Sequence, residues 1–165
     1  MTVRDTIVIG GGPAGYVAAI RASQLGASVT LVEENKLGGT CINCGCIPTK
    51  FLLHRLDLRR SVNAIAQQGM ATPPIQVASA ALQDHKNEIV SLGVAGIRGL
   101  LRSNQVEVIT GRAQLSSGKS VEVHSSSGEE RNIQGKKIII ATGSKPVKIA
   151  IPGADDPDVM ARDNA

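Results

Sequence analysis

Apolar and polar positions along the first 35 residues follow the order strand, helix, strand. Residues 5–10 form a short, β-rich and almost wholly apolar run, which is typical of a parallel strand buried on both faces. Residues 16–25 place apolar side chains at helical spacing and end before Gly26, a residue type that often follows a helix. Residues 28–32 form a second apolar strand that leads to Glu33 and Glu34. This order predicts the first unit of a parallel α/β sheet.

Two longer helical patterns follow in the middle of the chain. The first begins at Pro48, whose missing N–H is no loss in the first turn of a helix, and continues to about residue 68. Residues 70–76 contain two consecutive prolines and predict a connection. The second pattern covers residues 77–102. Gly93, Gly96 and Gly99 interrupt it, so we predict a break or bend there.

The pattern changes to short strands after residue 105. Strands are predicted at residues 106–110, 113–115, 121–124 and 131–133, with serine- and glycine-rich turns between them. Together they predict an antiparallel β-meander over about residues 105–135. The apolar run 137–141 then predicts a return to the buried parallel sheet.

Composition narrows the class of protein. The 165 residues suit one domain with its own core, and 42% hydrophobic with 19% charged residues is typical of a soluble globular chain. Tyr16 and Phe51 are the only aromatic residues, which argues against binding single-stranded nucleic acid by base stacking. The net charge of +4 is compatible with ordinary surface charge. With no run of about 18 apolar residues and no secretory signal pattern, we expect a cytoplasmic protein that binds neither nucleic acid nor membrane.

A glycine motif, G-x-G-x-x-G, joins the first strand to the first helix. Gly10 permits the tight turn, Gly12 lets a pyrophosphate approach the backbone, and Gly15 lets the helix pack on the strand. The helix start supplies unpaired N–H groups for phosphate. Glu33, about 20 residues on, would accept a hydrogen bond from a ribose hydroxyl, and Glu34 would take this role after a slip of one residue. The motif predicts a dinucleotide site; a turn without function and a merely solvated Glu33 are the alternatives.

Three cysteines lie within six residues of one another, at positions 41, 44 and 46. Clustered in this way they fit a catalytic or metal-binding role better than a secreted disulfide framework. Cys41 and Cys46 would be roughly 7.5 Å apart on a regular helix, which exceeds the usual Cα separation of about 4.4–6.8 Å across a disulfide. A bridge between them therefore requires the backbone to leave helical geometry, for which Gly39 and Gly45 are suited.

Residues 38–50 read Gly-Gly-Thr-Cys-Ile-Asn-Cys-Gly-Cys-Ile-Pro-Thr-Lys. This segment resembles the redox-active segment of the FAD-dependent pyridine nucleotide–disulfide oxidoreductases, with the dihydrolipoamide dehydrogenases as the nearest branch and the glutathione and mercuric reductases as relatives. The resemblance extends to Ile151-Pro152-Gly153. It implies the α/β class, as a Rossmann-like FAD-binding domain with a parallel sheet and an inserted antiparallel meander. The family's second FAD segment, NAD(P) domain and interface domain are not matched, so we expect residues 1–165 to be a partial, truncated FAD-binding domain.

The resemblance also implies a mechanism. Cys41 would be the interchange thiol that exchanges with the substrate, and Cys46 would face the flavin and form a charge-transfer contact as a thiolate. Lys50 matches the family lysine near the flavin, and both Lys50 and the nearby helix start would favour a thiolate. Electrons would pass between a small-molecule or lipoyl-domain dithiol, the Cys41–Cys46 pair, FAD and NAD(P). Family members are homodimers.

The FAD site implied in this way combines the glycine turn, the cysteine segment and two later turns. Residues 111–113 resemble the segment that meets the adenine, and residues 141–144 resemble a turn near the FAD. The predicted cofactor-binding residues are Gly10, Gly12, Pro13, Ala14, Gly15, Glu33, Glu34, Gly39, Thr40, Lys50, Gly111, Ala113, Ala141, Thr142, Gly143 and Ser144.

Two other functions fit part of the sequence. One is a flavin- or nucleotide-binding remnant without catalysis, and for the chain alone we expect weak or absent FAD binding and no NADH–lipoamide turnover. The other is a thiol metal site that would combine the three cysteines with His54, although their spacing is not usual for structural zinc. We predict no resident metal. Cys44 stands where the family has an apolar residue, and it is interpreted either as a small buried hydrophobe or as a competing thiol.

Overall fold

The computed structural model describes residues 3–70, 76–147, 150–154 and 156, and the connection predicted around the two prolines falls largely outside this range. The bounds of its helices and strands, in chain order, are β1 Val3–Ile9, α1 Pro13–Gln24, β2 Val29–Glu33, α2 Gly39–Asn43, α3 Cys46–Gln67, α4 Ser79–Ser103, β3 Glu107–Thr110, β4 Arg112–Ser116, β5 Ser120–His124 and β6 Glu130–Ile140. A short 3₁₀ turn, Ser117–Lys119, joins β4 to β5.

The strands form one six-stranded sheet in the order β3-β2-β1-β6-β5-β4. β1 pairs in parallel with both β2 and β6, and β2 pairs in parallel with β3. β4, β5 and β6 pair antiparallel. The predicted α/β class, with a parallel sheet and an antiparallel part, is confirmed.

The division between the two parts of the sheet differs from the sequence prediction. The strand predicted to open the meander is β3, and it pairs in parallel with β2 instead. The separate strands predicted at 131–133 and 137–141 are one strand, β6, whose first half pairs with β5 and whose second half pairs mainly with β1. Gly111 alone separates β3 from β4. A side chain there would come within 2.8 Å of the carbonyl oxygen of His124, so only glycine lets β4 turn away so sharply.

Two apolar clusters bury the two faces of the parallel strands. Because successive side chains of a strand point to opposite faces, Val8 packs toward the helices while Ile7 and Ile9 pack toward the meander. The helix side also holds Ala19, Val29, Leu31, Leu37, Ile97, Leu101 and Val106, and the meander side holds Val32, Ile109, Val121 and Val123. This double burial explains the continuous apolar runs of β1 and β2.

Helices α3 and α4 depart from the predictions at two points. α3 begins at Cys46, two residues before the predicted start, so Pro48 lies at its third position. Proline is tolerated there because the first N–H groups of a helix lack partners. The break predicted in α4 is wrong, since α4 is one continuous helix, while the alternative of a bend stays a prediction. A side chain at Gly93 would lie 3.1 Å from Ile42, so this glycine allows α4 to pack closely on α2.

Within the described residues, no helix combines the length and the apolar character that crossing a bilayer requires.

Candidate functional site

The glycine turn after β1 is shaped by close backbone contacts. Gly10 has φ +103°, and a Cβ atom there would lie 2.3 Å from the carbonyl oxygen of Ala141. A Cβ atom on Gly15 would lie 1.8 Å from the carbonyl oxygen of Gly10. Only Gly12 is open, with the Cα of Gly39 at 3.7 Å as its nearest neighbour. Gly12 also precedes α1 without a side-chain cap, so the first N–H groups of the helix stay available to a ligand.

Glu33, at the end of β2, is held beside this turn. Its Oε2 accepts the N–H of Gly11 at 2.6 Å, and its Oε1 accepts the N–H of Asn35 at 2.8 Å. Each carboxylate oxygen can accept a second hydrogen bond, so Glu33 can still receive a hydroxyl. Glu34, the alternative, is exposed.

The cysteine segment rests directly on the glycine turn. The N–H of Gly38 donates to the carbonyl of Gly11 at 2.8 Å. Gly39 has φ +55°, and a Cβ atom there would approach the Cα of Gly12 to 2.8 Å. The short helix α2 follows and carries Cys41. The backbone leaves helical geometry at Gly45, with φ −117° and ψ −103°, before α3 starts at Cys46.

This break brings two of the three thiols together. All three cysteines are free, and Cys41 is hydrogen-bonded to Cys46. That hydrogen bond raises the pKa of the Cys41 thiol, and burial and the charge of Cys46 raise it further, while a backbone hydrogen bond from Cys46 and the charge of Lys50 oppose the rise. The raised pKa favours the protonated form of the Cys41 thiol. Lys50 does favour the anion, as its position in the sequence predicts, but its effect on Cys41 is outweighed.

Two adjoining cavities surround these groups. The first, of about 480 Å³, is lined by Gly10, Gly12, Pro13, Ala14, Glu33, Gly39, Thr40, Cys41, Cys46, Ala141, Thr142, Gly143 and Ser144. The second, of about 420 Å³, is lined by Ile9, Gly10, Val32, Glu33, Glu34, Asn35, Gly111, Arg112, Ala113, Thr142 and Lys145. They share Gly10, Glu33 and Thr142, and together they extend from the thiol pair to the start of β4.

The structure brings most of the predicted site residues together. Every residue around the first cavity is one that the sequence analysis assigns to the thiol or cofactor site. Gly15 lies buried under the turn, and Lys50 is exposed as the fifth residue of α3; neither lines the two cavities. Asn35, Arg112 and Lys145 line the second cavity and are missed by the sequence analysis. Each of these three residues directly follows a predicted site residue, namely Glu34, Gly111 or Ser144, and this adjacency could have indicated them.

The alternative metal site receives no support from the structure. Among the described residues, no group of three or more histidine, cysteine, aspartate or glutamate side chains is arranged to hold a metal ion. His54 is exposed on α3. Cys44 is half-buried at the end of α2, where its N–H donates to the carbonyl of Thr40 at 3.0 Å.

Comparison with known proteins gives consistent matches over nearly the whole chain. A family model described as pyridine nucleotide-disulphide oxidoreductase matches residues 4–164. A leghemoglobin reductase from Glycine max is 44% identical over 142 residues, or 85% of this chain and 27% of the relative. A mitochondrial dihydrolipoyl dehydrogenase from Dictyostelium discoideum is 37% identical over 98% of this chain and 34% of the relative. A dihydrolipoyl dehydrogenase from Staphylococcus aureus is 42% identical over 88% of this chain and 31% of the relative.

A solved structure has a similar fold. The Cu(II) complex of the HOCl-induced flavoprotein disulfide reductase RclA from Escherichia coli matches with a TM-score of 0.72 and 33% sequence identity. The match covers 93% of this chain and 31% of that one. The chain thus spans about a third or less of the length of the relatives that it matches.

Proposed function

The chain belongs to the pyridine nucleotide-disulphide oxidoreductase family, and from that premise we propose that it is the FAD-binding, thiol-carrying part of an oxidoreductase similar to dihydrolipoamide dehydrogenase. The observation that carries the proposal is the first cavity, which is lined by both the glycine turn and the thiol pair, Cys41 and Cys46. A phosphate cradle and a hydrogen-bonded pair of thiols on one cavity suit the exchange of electrons between a bound dinucleotide and a dithiol.

The residues present fit FAD in three respects. The open backbone of Gly12 and the uncapped start of α1 suit a pyrophosphate, because a side chain at Gly12 would occupy that approach. Glu33 keeps lone pairs for a ribose. The two joined cavities suit a long ligand whose flavin end would lie toward the thiols and whose adenine end would lie toward Gly111 and Ala113. When bound, FAD supplies two-electron exchange with the thiols and with NAD(P).

The chain's own contribution is thiol–disulfide exchange. In the oxidised chain, a thiolate of the substrate dithiol attacks the sulfur of Cys41, so that a mixed disulfide forms and the Cys41–Cys46 bond breaks. The second substrate thiolate then displaces Cys41 and closes the substrate disulfide. The pair gains two electrons. Cys41 takes up a proton, as the raised pKa of its thiol favours.

This half of the reaction can be tested on the chain alone. The chain would be oxidised with diamide, mapped by mass spectrometry and mixed with one equivalent of dihydrolipoamide under anaerobic conditions. We expect a Cys41–Cys46 bridge and its complete reduction, with one lipoamide disulfide formed per chain. Cys41→Ser and Cys46→Ser should abolish both results, while Cys44→Ala should leave both unchanged.

A bridge that includes Cys44 would contradict the proposed pairing and would make Cys44 the competing thiol. A bridge that forms but does not react with the dithiol, in a chain that still binds a nucleotide, would favour the remnant without catalysis.

The remaining assignments belong to the same proposal. We assign residues 1–165 to a partial FAD-binding domain whose full-length counterpart uses NAD(P), acts on a lipoyl or small-molecule dithiol, and forms a homodimer. Cytoplasmic location is proposed from the cysteine usage, because all three cysteines lie in one segment. Size-exclusion chromatography with light scattering would test whether the present chain forms the dimer.

A further inference from the structure

We propose that Asn43 is a positioning residue for the reactive thiols: its side-chain amide closes the segment from Leu37 to Asn43 and thereby holds Cys41 in place. The inference rests on the proposed function, since it concerns the same thiol pair. It adds a residue to that function, because Asn43 lines neither cavity of the site.

The hydrogen bonds of Asn43 are the first observation. Its Nδ2 donates to the carbonyl of Leu37 and to the carbonyl of Gly39, each at 2.9 Å. One bond therefore reaches the chain that leads into α2, and the other reaches the first residue of α2. This helix has only five residues, and a helix of that length is not stable by itself. The amide ties the last residue of α2 to its first residue and to Leu37, which precedes the helix.

The path from this tie to the site is short. At one end, Gly38 is bonded to Gly11 and Gly39 lies against Gly12, so the start of α2 is fixed to the glycine turn. At the other end, Asn43 fixes the end of α2 to the same segment. Cys41 lies two residues from each of these fixed points. Its position relative to Cys46 therefore depends on the tie.

The other amide atom supports this interpretation. Asn43 Oδ1 is buried, and within the described part of the chain it has no hydrogen-bond partner. Flipping the amide would not relieve it, because the oxygen would then face two carbonyl oxygens. An unsatisfied buried acceptor is unfavourable, and such groups in native structures call for a specific reason. Here the reason is the placement of the two N–H donors.

The test compares two asparagine variants that lose the same kind of bond. Asn43→Ala removes the tie, and Asn104→Ala serves as the matched control. Asn104 Nδ2 donates to the carbonyl of Leu100 at 2.8 Å, at the far end of α4. The complete 165-residue chain would be equilibrated with glutathione redox buffers. The Cys41–Cys46 bridge would be quantified by mass mapping, and the pH dependence of Cys41 alkylation and the Tm would be measured in parallel.

We expect Asn43→Ala to lower the equilibrium constant for bridge formation at least tenfold, which corresponds to about 30 mV for a two-electron couple. The reason is that a loosened Cys41 has a lower effective concentration at Cys46. Its apparent pKa should fall toward the ordinary cysteine value, because the hydrogen bond with Cys46 that raises it is weakened. Asn104→Ala should change the equilibrium constant less than twofold.

Equal equilibrium constants and equal alkylation profiles in the two variants would overturn the inference, whatever their Tm values. If Asn43→Ala does not fold, Asn43→Ser takes its place, since a hydroxyl keeps one donor and should give an intermediate shift; no shift in that variant would also overturn the inference. Failure of the wild-type chain to form the bridge would instead overturn the proposed function itself.

Discussion

The two ends of the parallel strands are built in opposite ways. The carboxyl ends meet the glycine turn and the thiols, where α1, α2 and α3 begin without side-chain caps. The amino ends are tied together by charged side chains. Asp5 Oδ2 accepts the N–H and the hydroxyl of Ser28 at 2.9 and 2.7 Å, and its Oδ1 accepts Lys136 Nζ at 2.7 Å.

A second network lies at the same amino end. Glu107 Oε2 binds Arg4 at 2.7 Å and accepts the hydroxyl of buried Thr30 at 3.0 Å, while its other oxygen lies 3.5 Å from Arg131. These contacts join β1, β2, β3 and β6. The comparison teaches that this sheet concentrates its charged contacts between strands at the amino end. The carboxyl end keeps uncapped helix starts and thiols, and ligands bind at this end in parallel α/β sheets.

The largest expected effect comes from adding one methyl group at the glycine turn. Gly15→Ala would place a Cβ atom 1.8 Å from the carbonyl oxygen of Gly10, so α1 must move away from β1. We expect a loss of about 3 kcal/mol or more in the free energy of unfolding. The matched control is Gly96→Ala in α4, which meets nothing within 4 Å and should stabilise the chain by about 0.5–1 kcal/mol. Urea unfolding measures both; equal effects of the two variants would contradict the described packing of the turn.

An intermediate effect is expected at the amino end. Glu107→Ala removes the acceptor of Thr30 and the partner of two arginines, and the buried hydroxyl loses its bond. The free energy of unfolding should fall by about 1–2 kcal/mol, the loss being moderated by the partial exposure of Glu107. The rate of thiol exchange with dihydrolipoamide should stay within twofold of wild type. If the exchange rate falls together with the free energy of unfolding, the amino and carboxyl ends of the strands are coupled, and the contrast between them is contradicted.

The smallest expected effect concerns pH. The hydrogen bond from Lys136, followed by the bonds from Ser28, holds the pKa of Asp5 well below its ordinary value. A carboxyl group with a lowered pKa in the folded state stabilises the fold above its unfolded pKa, near 4, and this contribution is lost as the pH falls toward the folded value. Asp5→Asn should therefore flatten the decline of Tm between about pH 4 and pH 2. Parallel Tm curves for wild type and variant over this range would refute the assignment.

Local motifs made much of the site predictable. The glycines of the turn and the segment 38–50 carry their spacing in the sequence, and every residue around the first cavity follows from them or from the resemblance of residues 141–144. Whether these residues hold FAD stays a prediction. The direction of the pKa shift of Cys41 was harder to predict from the sequence. The largest influence on this pKa is the contact with Cys46 and not the nearby lysine.

The features that the sequence analysis missed depend on distant contacts. Pairing with β2 places β3 in the parallel layer, and no local pattern distinguishes that pairing from a meander. The three glycines of α4 argue for a break, yet packing against the sheet through Ile97 and Leu101 keeps the helix continuous. The bonds of Asn43 depend on the shape of the loop, which exists only once Gly38 rests on the glycine turn.

The position of β6 has a consequence for synthesis of the chain. β6 is the last strand in the described chain, yet it lies beside β1 in the interior of the sheet. It also delivers Ala141, whose N–H bonds to Ile9 at 2.8 Å, and the neighbouring wall of the first cavity. A nascent chain that has left the ribosome only as far as β5 therefore carries all its cysteines but not the whole wall of the first cavity. During translation this wall is completed only after residue 144 has emerged, long after the three thiols.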